Sequence, residues 1–257
     1  MAKQQTGLRV NRILFKQFQE LCHREKLRPG EAVESLIREK LWNVAASYYS
    51  EKDWAHGKNH VQRVLENALR IGKIEGADLD VVEASAILHD IFVYKETHSG
   101  IEEFRHEVEA AKEARRILSE LNFDEEFVEA VSHCILAHRK RRGPEPETIE
   151  AKCLFDADKL DCIGAIGVLR SAFVSFDHGQ EVYRDEPDLK AYKRHNIRHD
   201  GTIIDFSLHS SNLEYELSLK HVAGKMQTET GRNLAKERAA FMTQFYNRLD
   251  QEMKGAL

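Results

Sequence analysis

The stretch Ala84-Ser85-Ala86-Ile87-Leu88-His89-Asp90-Ile91-Phe92 constrains this chain most. Its apolar residues recur at helical spacing, so it is predicted to lie in a buried helix running from about Asp80 to Val93. A carboxylate and an imidazole placed there are costly unless they are paired or bound to a cation. The dipeptide alone carries little information. With 13 His in the chain and its 14 Asp, chance supplies roughly 0.7 His-Asp pairs. A second pair, His199-Asp200, sits in a polar setting where a solvated loop explains it. The first pair differs in its apolar context and in the residues elsewhere that suit it.

The rest of the chain reads as helices. Amphipathic patterns cover Asn59 to Ile74, Ile101 to Leu121 and Glu125 to His138, with Asp124 as a cap. Thr148 opens a long apolar helix to about Phe176, and two helices close the chain near Ser211–Met226 and Thr230–Met253. Residues 177–209 are polar and read as a long excursion with little regular structure, of the kind that is often functional. No alternating strand pattern follows residue 13, and only 14 Gly and 4 Pro interrupt 257 residues. The expectation is an all-α fold at 45–257 with an appendage at 1–44. Lacking a membrane-length apolar run or an apolar leader, the chain is expected in the cytoplasm, its four scattered cysteines reduced.

Charge separates the appendage from the rest. Residues 1–44 hold nine Lys/Arg against five Glu, a balance of +4 that leaves −9 for the remainder of a chain at −5. Leu8-Arg9-Val10 alternates like a short strand, Asn11 suits a helix cap, and Pro29 suits the start of a second helix. Strand, helix, turn, helix resembles the ribbon-helix-helix DNA-binding dimers, a resemblance that makes Arg9 and Asn11 the DNA-facing residues and the protein a homodimer. Arg28 departs from it, standing where that family usually has a Ser or Thr cap. The alternative is a helical hairpin that reads no DNA.

Four side chains carry the chemistry. His60 lies in His56-Gly57-Lys58-Asn59-His60-Val61-Gln62-Arg63, and Gly57 places His56 just ahead of the helix. Asp156, Asp158 and Asp161 crowd one end of an apolar helix, where like charges repel and a cation relieves them. His60, His89, Asp90 and Asp158 offer two nitrogens and two carboxylates. That set suits a divalent metal, Mn²⁺ foremost, with Fe²⁺, Co²⁺, Ni²⁺, Mg²⁺ and Zn²⁺ as alternatives. Glycine-rich phosphate loops, HExxH and GxSxG are absent.

A His, then His-Asp, then a later Asp resembles the HD superfamily of metal-dependent phosphohydrolases. His56-Gly57-x-x-His60-x-x-Arg63-Val64, Leu88-His89-Asp90-Ile91 and Asp156-Ala157-Asp158-Lys159-Leu160-Asp161 are close to its small stand-alone bacterial members. The resemblance spans about residues 45–253 and implies an HD helical bundle. By it the metal ligands are His60, His89, Asp90 and, directly before Lys-Leu, Asp158 rather than Asp156. It also implies water attack on a phosphorus centre in a nucleotide or related small phosphate. Lys159, Arg63 and Lys95 are the cations expected to face phosphate, with His56 as a phosphate contact or proton donor. Arg63 and Lys159 have an alternative role in neutralising the ligand carboxylates. His106 and His138 fall where some HD enzymes carry ligands for a second metal, and are otherwise substrate contacts. The run from Arg139 to Arg142 either receives an anionic substrate or is a solvated loop. One departure stands out: relatives often place an acidic residue between His-Asp and the Lys, whereas Phe92-Val93-Tyr94 precedes Lys95 here. The alternative function is a DNA-binding regulator whose helical domain senses a nucleotide, and a third reading is a scaffold with a vestigial site.

Overall fold

The computed structural model describes residues 20, 22–24, 26, 28–99, 104–139, 143–199 and 201–256, as backbone alone over 29–37. By its internal contacts the chain divides into two units, Met1–Val44 and Ala45–Leu257. The first strand and first helix expected near the N-terminus, with Arg9 and Asn11, lie outside the described residues. Helix α1, Pro29–Ala46, begins at the proline, whose missing N–H has no partner to lose in a first turn.

The second unit is all-α; no strand runs through its described residues, which hold two isolated bridges. Helix α2 (Lys58–Glu75) buries Val61, Val64, Leu65, Ala68 and Ile71, one side of a 3.6-residue repeat, against α3 (Leu79–Leu88) and α7 (Ile149–Asp161). Behind α3 pack α5 (His106–Glu120) and α6 (Glu125–Ala137). Helices α8 (Gly164–Asp177) and α11 (Glu229–Met253) pack on each other and on α7. Asp124 and Thr148 cap α6 and α7 through Phe127 N–H and Ala151 N–H, as their sequence positions lead one to expect.

Three sequence expectations are corrected. The helix through His89-Asp90 is not continuous. α3 ends at Leu88, His89 is its C-cap, and α4 (Val93–His98) starts afresh after Val93 N–H bonds Asp90 O. His89 keeps helical dihedrals (φ −62, ψ −37) and the chain turns after it, with His89 Nε2 and Asp90 Oδ2 3.4 Å apart. The long helix from Thr148 is likewise split at Cys162–Ile163. Gly164 takes φ +78, a left-handed conformation, and a Cβ there would meet the Arg238 side chain at 3.1 Å.

Residues 177–209, finally, are more ordered than their composition indicates. They contain α9 (Leu189–Asn196), a 3₁₀ turn at Phe206–Leu208 and bridges Glu181–Ser210 and Ile197–Ile203. Buried side chains replace the missing sheet or long helix. Asn196 Nδ2 donates to Tyr192 Oη (2.7 Å) and Asp205 O (2.9 Å), and its Oδ1 accepts Asp205 N–H. Tyr192 in turn donates to His209 Nδ1 at 2.7 Å, and His209 Nε2 donates to Glu214 at 3.1 Å. After it, α10 (Ser211–Leu217) and two 3₁₀ turns lead into α11.

Candidate metal centre

Gly57 lets the chain enter α2 tightly, since a Cβ there would sit 2.3 Å from Asp53 O. Asp53 Oδ1 accepts the N–H groups of Ala55 and His56, so His56 precedes the helix and His60 falls in its first turn. From α2 comes His60, from the end of α3 His89 and Asp90, and from the last turn of α7 Asp158. These are 0%, 0%, 5% and 8% exposed.

Around them the protonation is set by what each second nitrogen touches. His60 Nδ1 donates to Asp161 Oδ2 at 2.7 Å, and His89 Nδ1 donates to Ala86 O at 2.8 Å. Carboxylate and carbonyl oxygens only accept, so in the neutral ring of each the lone pair is on Nε2. Neither buried Nε2 has a hydrogen-bond partner. Both face carboxylates instead: His60 Nε2 lies 3.5 Å from Asp90 Oδ2 and 3.6 Å from Asp158 Oδ1, and His89 Nε2 lies 3.4 Å from Asp90 Oδ2. Buried polar atoms are nearly always satisfied, and lone pairs facing carboxylates are not. Burial, with His138 and His60 nearby, pushes the His89 imidazole down to about 4, which keeps it neutral. Burial would raise Asp90, but His89, His106, His138 and His60 hold it well below the usual carboxylate range. Asp158 is likewise lowered against its burial, by Lys159 and His60. Burial and Arg170 would lower His60, but Asp161 and Asp90 raise it. His60, His89 and Asp158 form a group able to hold a divalent cation once His60 gives up its Nε2 proton, and Asp90, 3.5 Å from His60 Nε2 and 3.4 Å from His89 Nε2, would complete it.

Asp90 uses its other oxygen as well. His106 Nε2 and His138 Nε2 lie 3.2 and 3.4 Å from Asp90 Oδ1 and 3.3 Å from each other. The sequence-predicted pair is therefore brought to the cluster, while His133 bonds Glu147 N–H away from it. His138 Nδ1 donates to Ile135 O. His106 Nδ1 meets Glu96, and burial notwithstanding, Asp90 and Glu96 raise His106 to about 9. Asp90, His106 and His138 form a second group of donors able to hold a cation once His106 gives up its proton.

The remaining expected residues divide. Lys159 Nζ sits 2.7 Å from Asp158 Oδ2 and over the Phe155 ring, a neutralising position beside a ligand. Arg63 turns its Nε and Nη2 to Asp161, at 2.7 and 2.9 Å, which is the carboxylate-neutralising role rather than a phosphate-facing one. His56 lines the adjoining cavity, its ring 6.0 Å from that of His60, and burial lowers its pKa. Lys95 is not brought in. It is exposed, with its ammonium 5.0 Å above the Phe104 ring.

Asp161, Arg170 and Glu96 were given no role in the sequence reading. Asp161, noted there only as part of an acidic run, gathers His60, Arg63 and Arg170 Nη1 (3.0 Å), and these hold it low against its burial. Glu96 receives Arg139 Nη1 at 2.7 Å on both oxygens and, although part-buried, is lowered to about 2 by His106 and Arg139. Asp156, by contrast, faces away, accepting Gln227 N–H, Thr228 N–H and the Thr228 hydroxyl at the start of α11. A cavity of about 730 Å³ adjoins the cluster, reached by His56, Glu96, Arg139 and Arg170.

Residues 57–163 match the HD domain family, so the chain carries an HD domain. It is 29% identical to the uncharacterized protein YpgQ of Bacillus subtilis (strain 168) over 227 residues, 84% of this chain and 94% of YpgQ. The structure of Bacillus subtilis YpgQ in complex with ADP superposes with a TM-score of 0.62 at 25% identity, covering 85% of this chain and 98% of that one. A predicted HD superfamily hydrolase from an uncultured Thermotogales bacterium gives a TM-score of 0.56 at 26% identity, over 84% and 92%. Among the described residues no helix is long and apolar enough to cross a membrane.

Proposed function

We propose that this chain is a metal-dependent phosphohydrolase acting on a phosphoester or phosphoanhydride bond of a nucleotide or related small phosphate. The observation that carries the reading is the pair of unpartnered, buried Nε2 atoms of His60 and His89 facing Asp90 and Asp158. A divalent cation there supplies a Lewis acid that polarises a phosphoryl oxygen and acidifies a coordinated water. The chain's own residues do the rest. Asp161 fixes the tautomer and direction of His60. Lys159 balances Asp158 and lies near enough to meet an anionic substrate. Arg139 and Arg170 line the cavity, and each is neutralised by a carboxylate until phosphate competes for it. Glu96, lowered to about 2 by His106 and Arg139, is a hydrogen-bond acceptor, not a proton donor. The ADP bound by Bacillus subtilis YpgQ supports a nucleotide ligand. We assign this activity to residues 45–257, and to His106 and His138 either a second cation beside Asp90 or a contact to the substrate.

The test is metal analysis of the purified protein, then phosphate and pyrophosphate release from a nucleotide panel with Mn²⁺, Co²⁺, Ni²⁺ and Mg²⁺. Asp158→Ala, Asp90→Ala and His60→Ala are each expected to lower turnover by a factor on the order of 10³ or more, because several kcal/mol of transition-state stabilisation go with the metal. Turnover retained in any of the three removes the site assignment.

A further inference from the structure

The cavity beside the cluster has two unlike ends. Toward the cluster it is lined by ionised and imidazole groups. Its other wall is built where the end of α8 meets the 177–209 excursion, and there Phe173, Val174, Ile203 and Phe206 present apolar surface. Phe206 is 40% exposed although it lies in a turn held by a buried network, and His178 stacks on it at 4.7 Å between ring centroids, 26° from parallel. An aromatic pair left open on a cavity wall is a surface for a flat ring. A polar group accompanies it. Gln180 has a side-chain nitrogen buried on this wall with no hydrogen-bond partner, and Gln180 N–H bonds Ser175 O at 2.7 Å, which fixes where the residue sits. A phosphate alone would use neither the aromatic pair nor the amide.

We infer that this wall is the subsite for the nucleoside part of the substrate, with Phe206 and His178 as the stacking platform and Gln180 as the group that bonds the base edge. The inference rests on the phosphohydrolase reading for the position of the phosphates, and it adds the class of the leaving or retained group: a nucleoside, not a sugar or alkyl phosphate. The dimensions agree, since about 730 Å³ lies within the range of sites that enclose a whole small ligand. The anchoring chain Asn196–Tyr192–His209–Glu214 explains how a polar excursion holds an aromatic residue in place without a core of its own.

The test compares ADP with inorganic pyrophosphate as ligands of the full-length protein with Mn²⁺, by calorimetry, so that it does not depend on turnover. Phe206→Ala changes an exposed turn residue and leaves the metal ligands alone. It is expected to weaken ADP about tenfold, the order of one base–aromatic stack, and to leave pyrophosphate unchanged. Gln180→Leu is expected to weaken ADP severalfold, again sparing pyrophosphate. Unchanged ADP affinity in Phe206→Ala, or equal loss of ADP and pyrophosphate, overturns the subsite. A wild type that binds ADP no better than pyrophosphate overturns it too, whatever the hydrolysis assay shows. A wild type that binds ADP through Phe206 yet hydrolyses no phosphate leaves the subsite standing and removes the hydrolase reading.

Discussion

Two groups of buried histidines in this molecule are built on opposite principles. His209 is 2% exposed and complete: Tyr192 donates to one ring nitrogen and Glu214 accepts from the other. His60 and His89 are more deeply buried and incomplete, each with one nitrogen bonded and the other facing carboxylates with no hydrogen bond made. A satisfied polar network stabilises; a half-satisfied one costs free energy that something else must offset. The difference shows which buried histidine is structural and which waits for a ligand, and exposure alone would not have told them apart.

Asp161→Asn is expected to disturb this contrast most. It removes the charge that holds His60, Arg63 and Arg170 together. Calorimetric titration should show Mn²⁺ affinity falling 10–100-fold, as for other groups that orient a metal-binding histidine. The unfolding free energy of the apoprotein should fall by about 3 kcal/mol, toward the low end for a buried ion pair because Arg63 is part-exposed. Unchanged Mn²⁺ affinity would show that His60 needs no orienting partner. His209→Leu should do the reverse. It leaves the Tyr192 hydroxyl and Glu214 without their partner, so urea unfolding should register a loss of about 2 kcal/mol. Mn²⁺ affinity should remain that of the wild type. If it falls in step with stability, the two histidine groups are one cooperative unit and the comparison fails.

The candidate ligand set was legible in the sequence because each member carries its own signal. His89-Asp90 breaks an apolar run, His60 follows a glycine that fixes a helix start, and Asp158 belongs to an acidic run at one end of an apolar helix. The resemblance then chose Asp158 over Asp156, and the structure puts Asp158 beside the histidines and Asp156 at the foot of α11. What stayed hidden acts through tertiary contacts. Asp161 shares a face with Asp158, three residues on, and was visible as an acid without a stated task. Arg170 reaches it only because the chain breaks at Cys162–Ile163, which no periodicity announced. The excursion was misread for a related reason: its order comes from buried Asn196, Tyr192 and His209, and composition counts such residues as loop-formers.

Lys95 gives the smallest expected effect. The resemblance makes it a cation facing phosphate, but in α4 Glu96 points to His106 and Arg139 while Lys95 rests on Phe104 in solvent. Lys95→Ala is therefore expected to change stability by less than about 0.5 kcal/mol, the usual range for a surface substitution, and to leave kcat and metal affinity unchanged. Glu96→Gln, one residue later, should differ by removing the charge that balances Arg139 and raises His106. The paired measurement is kcat for both variants on the same nucleotide with Mn²⁺. A loss in Lys95→Ala equal to that in Glu96→Gln would mean that Lys95 swings onto bound phosphate, and that the resemblance placed it better than its resting contacts do.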